Sequence, residues 1–190
     1  MDRRIPLALG LFALLLSSGM PAVAQSSTLA GAGLRTFSDA TISFSYPSSW
    51  HAESTPYWGG GVLPLAYVSN LPLHRVCAND PRCRLPLKVL PPNSVLTEWM
   101  SRAFFGWTLA GTPGKPLYVG GLPARLQVLK PQSGFCPRRT VTMLKAVIDS
   151  GFPNNWYEFY ACLSGPKLNA QYEAMMILFS LHPLYQYKAP

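Results

Sequence analysis

Four cysteines carry the most constrained chemistry in the sequence: Cys77, Cys83, Cys136 and Cys162. The spacing Cys-x5-Cys of the first two matches no common zinc knuckle, and no histidine is suitably placed near the later two, so a metal site is disfavoured. An even number of cysteines in an exported chain favours two disulfides, and four cysteines allow three pairings. We expect Cys77–Cys83, which flanks a turn-rich segment, and Cys136–Cys162, which would tie two later segments of the sheet. Paired cysteines are not nucleophiles, so a catalytic thiol is disfavoured as well.

The histidines and carboxylates form no motif that is typical of a catalytic or metal site. His51, His74 and His182 match no spaced metal motif, and no Gly-x-Ser-x-Gly elbow is present to hold a nucleophilic serine. The carboxylates after residue 24 are scattered: Asp39, Glu53, Asp80, Glu98, Asp149, Glu158 and Glu173. A glycosidase pair assembled from distant positions stays open, although no pattern points to one. The sequence therefore predicts no catalytic residue, no metal ligand and no cofactor.

Four basic residues surround the short loop between the first two cysteines: Arg75, Arg82, Arg84 and Lys88. A disulfide across this loop would hold the four cations in place and present them as a preorganised anion-binding patch. The alternative, which stays open, is a solvated basic loop that binds no particular anion.

A second candidate surface combines aromatic rings with glycines in Tyr57-Trp58-Gly59-Gly60-Gly61. The rings of Tyr57 and Trp58 are suited to stacking on sugars or on a partner protein. The alternative is that both aromatic side chains fold back onto the core.

The first 24 residues have the three regions of a secretory signal peptide. Arg3 and Arg4 give a charged start, residues 5–16 form an apolar run, and Ala22-Val23-Ala24 fits the small-x-small pattern of signal peptidase. A membrane-spanning helix needs about 20 apolar residues, so the run is too short for an anchor. We therefore expect cleavage near Ala24, a mature chain that begins at Gln25, and a secreted or periplasmic, extracytoplasmic location.

The mature chain is basic and long enough for one domain with a hydrophobic core. Cleavage would leave 166 of the 190 residues, with Lys+Arg falling from 16 to 14 and Asp+Glu from 8 to 7, so the charge changes from +8 to +7. A basic protein is drawn to anionic surfaces, and export makes nucleic acid an unexpected partner. No segment of the mature chain is apolar enough to span a membrane. An anionic envelope component or another exported protein is the expected partner.

Alternation of polar and apolar residues predicts a sheet. Ile42, Phe44 and Tyr46 alternate with small polar residues, which is typical of a strand with one buried face. Later strands are predicted over 122–129, 140–148 and 156–163, with turn signals between them that favour an antiparallel meander.

Two segments instead repeat with a helical period. Leu96, Trp99 and Met100 share one face of a helix predicted over 94–107, and a second amphipathic helix is predicted over 168–181. The order of strands, helix, strands and helix predicts an α+β fold, in which helices pack on the faces of a mostly antiparallel sheet. We expect a flexible lead at 25–35 and a single α+β domain at 36–190.

Three local patterns together resemble the PsbP-like superfamily, which includes the exported LpqN-type proteins of bacteria. They are the strand that ends in Pro-x-x-Trp at 42–50, the Val-Gly-Gly-Leu-Pro-Ala segment at 119–124, and the terminal helix at 172–180. The resemblance implies an α/β/α sandwich. The members of this superfamily are largely accessory or binding proteins without one shared active site, so the resemblance implies no functional residues.

These observations favour an exported, non-enzymatic accessory or binding protein. The alternative is a secreted hydrolase whose site is assembled from dispersed residues. A pocket in which a histidine meets a carboxylate or a serine would favour the enzyme.

Overall fold

A computed structural model describes residues 33–55, 61–75, 85–132, 134–165 and 167–184. Strands dominate these ranges, because runs rich in aromatic and β-branched residues pair with neighbours along most of their length. The strands are β1 Leu34–Ser38, β2 Ile42–Pro47, β3 His51–Ser54, β4 Val62–Ser69, β5 Val95–Ala103, β6 Lys115–Val119, β7 Leu122–Leu129, β8 Thr142–Asp149, β9 Asn155–Leu163 and β10 His182–Pro183, with one α-helix, α1 Lys167–Phe179, and a short 3-10 helix at Leu109–Gly111.

Seven antiparallel strands form the larger sheet, in the order β3-β4-β5-β9-β8-β7-β6. The two longest strands, β5 and β9, are neighbours, and their register runs from Val95 opposite Leu163 to Ala103 opposite Asn155. We call the two ends of this sheet the Ala103 end and the Val95 end. The turn between β8 and β9 lies at the Ala103 end, since Asp149 is opposite Trp156.

One face of the larger sheet, the helix face, is covered by α1 and by the smaller sheet of order β1-β2-β10. Trp99 of β5 is fully buried there, with its ring 5.6 Å from that of Phe44 and 4.8 Å from that of Phe159. The helix docks through one apolar stripe, at spacings of three and four residues, because such positions share a face. The buried residues of that stripe are Ala170, Ala174, Ile177 and Leu178.

The opposite face, the loop face, is covered near the Val95 end by connecting segments rather than by a helix. Leu87, Leu90 and Cys136 pack there against Leu96 of β5 and Met143 of β8. The side chain of Cys136 is joined to Cys162 of β9 by a disulfide with an S–S distance of 1.97 Å, which ties one covering loop to the centre of the sheet. The bridge that pairs Val89 with Arg138 joins two covering segments to each other.

The helix predicted over 94–107 is wrong, because this segment forms β5. Apolar residues at 96, 99 and 100 fit one helical stripe, yet in the strand Leu96 and Met100 lie on the loop face and Trp99 lies on the helix face. Both faces of β5 are buried, so apolar side chains occur on each, and the alternation expected of a half-buried strand is lost. The segment is a strand because it pairs with β4 on one side and with β9 on the other.

The predicted α+β fold, with helices packed on the faces of the sheet as in an α/β/α sandwich, is therefore wrong. The described residues are mostly β, with two antiparallel sheets and the single helix α1. The position of α1 agrees with the second predicted helix, and the smaller sheet supplies the rest of the covering layer. Of the described residues, no helix has the length and apolar composition needed to cross a membrane.

Candidate functional site

Charged side chains lie on the loop face of the larger sheet, in the middle of its three central strands. Glu98 and Arg102 of β5, Glu158 of β9 and Lys145 of β8 project from this face, because residues two and four apart on a strand share a face. We call these four residues the charged cluster. Both carboxylates are buried, which is uncommon for glutamate unless it is paired.

Glu158 is the centre of the charged cluster. Its Oε1 lies 3.0 Å from Lys145 Nζ, and its Oε2 lies 2.5 Å from Arg102 Nε. The Arg102 contact is an ion pair by distance, although the Nε–H does not point at an acceptor. Burial acts to raise the pKa of Glu158, but the charges of Lys145 and Arg102, with hydrogen bonds from Lys145 and Tyr160, outweigh burial and hold this pKa below its ordinary value.

Two tyrosines complete the hydrogen bonding of the buried carboxylates. Tyr160 donates its hydroxyl to Glu158 Oε2 at 2.9 Å, and Tyr67 donates to Glu98 Oε1 at 2.8 Å. Burial, and then the charge and hydrogen bond of Glu158, raise the pKa of Tyr160 well above its ordinary value, so its hydroxyl stays a donor. Lys145 Nζ lies 5.3 Å from the centre of the Tyr160 ring. The charged cluster is therefore an ion-paired and hydrogen-bonded network on the sheet, in which Arg102 Nε makes an ion pair but no hydrogen bond.

Exposed aromatic side chains continue directly from β5 at the Ala103 end. Phe104 and Phe105 are 71% and 89% exposed, and the following Trp107 stacks on Trp156 with ring centres 4.5 Å apart. We call residues 104–107 the aromatic tip. Large apolar side chains with this exposure are unusual in adjacent positions, so the tip is a candidate contact surface.

Asn154, in the turn between β8 and β9, holds the aromatic tip in place. Its backbone oxygen accepts from Phe104 N at 2.9 Å, and its side-chain Oδ1 accepts from Gly106 N at 2.8 Å. Trp107 N also donates to Phe104 O at 3.2 Å, which closes the turn. The two phenylalanines thus project from an ordered turn on a rigid sheet, rather than from an unsupported loop.

The charged cluster and the aromatic tip adjoin each other. Arg102 is opposite Trp156 in the register of β5 and β9, and it precedes Phe104 by two residues. Arg125 of β7 is opposite Val147, which itself is opposite Glu158, so a third cation lies on the same face of the sheet. The exposed rings therefore lie at the edge of a surface that carries Arg102, Arg125 and Lys145.

A separate cavity lies on the helix face at the Ala103 end. Its volume is about 410 Å³, and it is bounded by the ends of β5, β8 and β9 and by the residue before β2. The lining residues are Thr41, Ser101, Ser150, Phe152, Asn155 and Tyr157. None of these six is a histidine, an acid or a base.

The structure places only part of the residues predicted from sequence. Cys136 and Cys162 form one of the two expected disulfides. Arg75 and Lys88 are described and exposed, and they lie in the segments that flank the first cysteine loop. The remaining predicted site residues lie outside the described residues: Cys77, Cys83, Arg82, Arg84, Tyr57 and Trp58.

The histidines do not assemble with the other candidate groups. His51, His74 and His182 are exposed and lie on β3, on a covering loop and on β10. Across the described ranges, no group of three or more histidine, cysteine, aspartate or glutamate side chains is placed to hold a metal ion.

The charged cluster and the aromatic tip were not predicted from the sequence. Glu98 and Arg102 read as the polar side of a helix, whereas on a strand their spacing of four puts them on one face beside Glu158. The sequence does contain one signal for the charged cluster. Charged residues occur at alternate positions of apolar segments that are long enough to be central strands. Phe104-Phe105 was overlooked because it lay inside the predicted helix.

No known protein family matches the chain, and no curated protein matches it. Among solved structures, it is similar to a protein of Bacteroides thetaiotaomicron VPI-5482, with 16% sequence identity and a TM-score of 0.37. The match covers 78% of this chain and 47% of that one, so this chain spans about half the length of that protein. At this level the similarity assigns neither a fold nor a function, and the PsbP-like resemblance stays a prediction.

Proposed function

We propose that this chain is an extracytoplasmic, non-enzymatic binding protein that docks on an anionic lipid surface of the cell envelope through its aromatic tip. The single observation that carries the proposal is the exposure of Phe104 and Phe105 on a turn held by Asn154. Two adjacent, exposed rings pack little against the residues that the structure describes, so a contact outside the domain is their simplest use.

A lipid surface fits the apolar part of the aromatic tip. Transfer of a phenylalanine side chain out of water contributes about 1.5–3 kcal/mol, so two rings that enter the interface supply affinity without ordered polar partners. Sugar binding is less well supported at this place, because the flat faces of Trp107 and Trp156 are stacked on each other. One face of the Trp107 ring is therefore occupied, whereas the rings of Phe104 and Phe105 are exposed.

Charge complementarity selects an anionic lipid over a neutral one. The chain carries 16 Lys+Arg against 8 Asp+Glu, and Arg125 lies on the loop face next to the charged cluster, whose two cations are balanced by Glu98 and Glu158. Basic residues near an anionic membrane contribute about 1 kcal/mol each, which falls away within a Debye length. The disulfide Cys136–Cys162 fits an oxidising compartment outside the cytoplasm, where such a surface would be met.

The hydrolase alternative has no comparable support. In the described part of the chain, the three histidines are exposed and none lines the cavity. Glu98 and Glu158 are diagonal neighbours on the loop face, yet both are buried and both accept hydrogen bonds from tyrosine. We assign these carboxylates to the stability of the sheet rather than to catalysis.

Vesicle co-sedimentation of the purified protein tests the proposal. We expect binding to vesicles that contain phosphatidylglycerol, little binding to pure phosphatidylcholine, and loss of binding in high salt. Phe104→Ser with Phe105→Ser should weaken binding by about a hundredfold, because two buried rings are lost.

The matched control is Val128→Ser with Val141→Ser. These residues are 66% and 63% exposed, and both lie towards the Val95 end of the sheet. The control variant should bind like the unchanged protein. The lipid proposal would be contradicted if the Phe104/Phe105 variant bound vesicles as well as the unchanged protein does. It would also be contradicted if the unchanged protein bound a purified wall polymer or exported protein but not vesicles.

A further inference from the structure

The cavity on the helix face has the size and rigidity of a small-molecule site. Its volume of about 410 Å³ lies within the range of about 300–1,000 Å³ that is usual for such sites. Ser101, Asn155 and Tyr157 come from the paired strands β5 and β9, so the sheet fixes their positions. Tyr157 is 4% exposed and belongs to the hydrophobic core, which holds its ring in one orientation.

The lining offers hydrogen-bonding groups without charge. Four hydroxyl groups and one carboxamide are contributed by Thr41, Ser101, Ser150, Tyr157 and Asn155, and Phe152 adds an aromatic ring. The remaining surface is the carbon framework of the same residues. Apolar walls with a few convergent polar groups are typical of sites that orient a small ligand.

Some of these hydrogen-bonding groups already bond to the protein, whereas two hydroxyls do not bond to any described residue. Ser150 Oγ donates to Asn155 O at 2.8 Å and accepts from Phe152 N at 3.2 Å. Among the described residues, none donates to or accepts from the hydroxyls of Ser101 and Tyr157. Both residues line the cavity, so their hydroxyls are donors that a bound molecule can use.

Charge near the cavity disfavours an ionic ligand. In the part of the chain that the structure describes, no lysine or arginine lines it, so an anion would be buried without a counter-charge. Asp39, whose charge acts on Tyr157, uses Oδ1 to accept from Thr41 N, Thr41 Oγ1 and Ile42 N, at 2.6, 2.9 and 2.9 Å. Burial, and then the charge of Asp39, raise the pKa of Tyr157, so its hydroxyl remains a neutral donor at physiological pH.

We propose that this cavity is a binding site for a neutral polyhydroxylated ligand, a mono- or disaccharide. The hydroxyls of Ser101 and Tyr157 would bond sugar hydroxyls. The site lies on the opposite face of the sheet from the charged cluster and shares no residue with the aromatic tip, although both adjoin the turn between β8 and β9.

Amide NMR titration of the full protein tests this site with maltose and N,N'-diacetylchitobiose as probes. Sodium acetate and choline chloride serve as the anionic and cationic controls. We expect saturable shifts of the Ser101 and Asn155 amides with at least one disaccharide and with neither ion. The proposal would be overturned if either ion gave saturable shifts of these amides. It would also be overturned if neither disaccharide shifted them at millimolar concentration.

A pair of variants locates the binding. Tyr157→Phe removes one oxygen from the cavity and should weaken the disaccharide about tenfold, as the loss of one hydrogen bond predicts. Tyr118→Phe, which alters an exposed tyrosine on β6, should leave affinity unchanged. Unchanged affinity of Tyr157→Phe would overturn the site. Vesicle binding by Tyr157→Phe should equal that of the unchanged protein, so failure of this site is distinguishable from failure of lipid docking.

Discussion

Lys145 and Glu158 lie on neighbouring strands of the larger sheet, and Lys145 Nζ reaches Glu158 Oε1 at 3.0 Å across the face that the loops cover. The two residues are not directly opposite, since Lys145 is paired with Tyr160 and Glu158 with Val147. The ion pair is therefore diagonal, a spacing that long side chains can bridge. With Arg102 on the other side of β9, it places one buried carboxylate between two cations.

Replacement of Glu158 by glutamine should destabilise the fold. The change leaves Arg102 and Lys145 without their shared carboxylate on a partly buried surface, and unpaired charges of this kind are costly. We expect the free energy of unfolding to fall by about 2–3 kcal/mol, below the full value for a buried pair because both cations retain some contact with water. Urea unfolding followed by tryptophan fluorescence measures this change.

Glu53→Gln is the matched control for that measurement. Glu53 lies on the edge strand β3, outside the charged cluster, and should change stability by less than about 0.5 kcal/mol. Equal stability of the Glu158 variant and this control would show that the ion network contributes nothing net.

The same carboxylate gives stability a defined dependence on pH. The pKa of Glu158 is lower in the folded protein than in the unfolded chain, so the unfolded chain takes up the proton first as the pH falls. The stabilising contribution of Glu158 is therefore lost as the pH falls from the unfolded pKa to the folded pKa. Above the ordinary pKa of glutamate, about 4.3, the contribution is fully present. The difference in unfolding free energy between the unchanged protein and Glu158→Gln should thus be constant from about pH 6 to 8 and shrink below about pH 5. A difference that grows on acidification would contradict this assignment.

Much of the sheet follows from the sequence, because half-buried strands alternate visibly. Ile42, Phe44 and Tyr46 mark β2, and the meander predicted over the last strands corresponds to β7, β8 and β9. Strand β5 was mistaken for a helix, since both of its faces are buried and its apolar residues satisfy both periods. The predicted fold class was wrong for this reason, because it counted a second helix, at 94–107, that would have packed on the sheet.

The candidate site is harder to predict, because its residues become neighbours only through register. Glu98 and Glu158 are far apart in the chain, and their closeness depends on β5 pairing with β9. The cavity joins Thr41 to Tyr157 across two different sheets, a contact that no local pattern encodes. The disulfide Cys136–Cys162 could be expected, since the number of cysteines limits the pairings to a few.

Removal of the disulfide Cys136–Cys162 should lower stability substantially. The bridge closes a loop with a sequence separation of 26, for which the loss of chain entropy in the unfolded state predicts about 3–4 kcal/mol. Cys136→Ala with Cys162→Ala should therefore shift the urea midpoint downwards in the absence of reductant. Addition of reductant should bring the unchanged protein towards the variant, and a variant as stable as the oxidised protein would contradict the prediction.

Asn154 offers a test of whether order at the aromatic tip matters for binding. This residue has a φ of 60°, and its side chain accepts from Gly106 N, so it sets both the turn and the position of the phenylalanines. Asn154→Gly keeps the backbone conformation but removes the side-chain bond, and it should weaken vesicle binding about three- to tenfold through the ordering lost at the tip. Asn93→Gly is the matched control, because Asn93 has a φ of 61° next to the start of β5, at the Val95 end. Both variants should show similar small changes in thermal stability, whereas only Asn154→Gly should lose vesicle affinity. Equal losses from both would mean that general stability, rather than a preformed tip, governs binding.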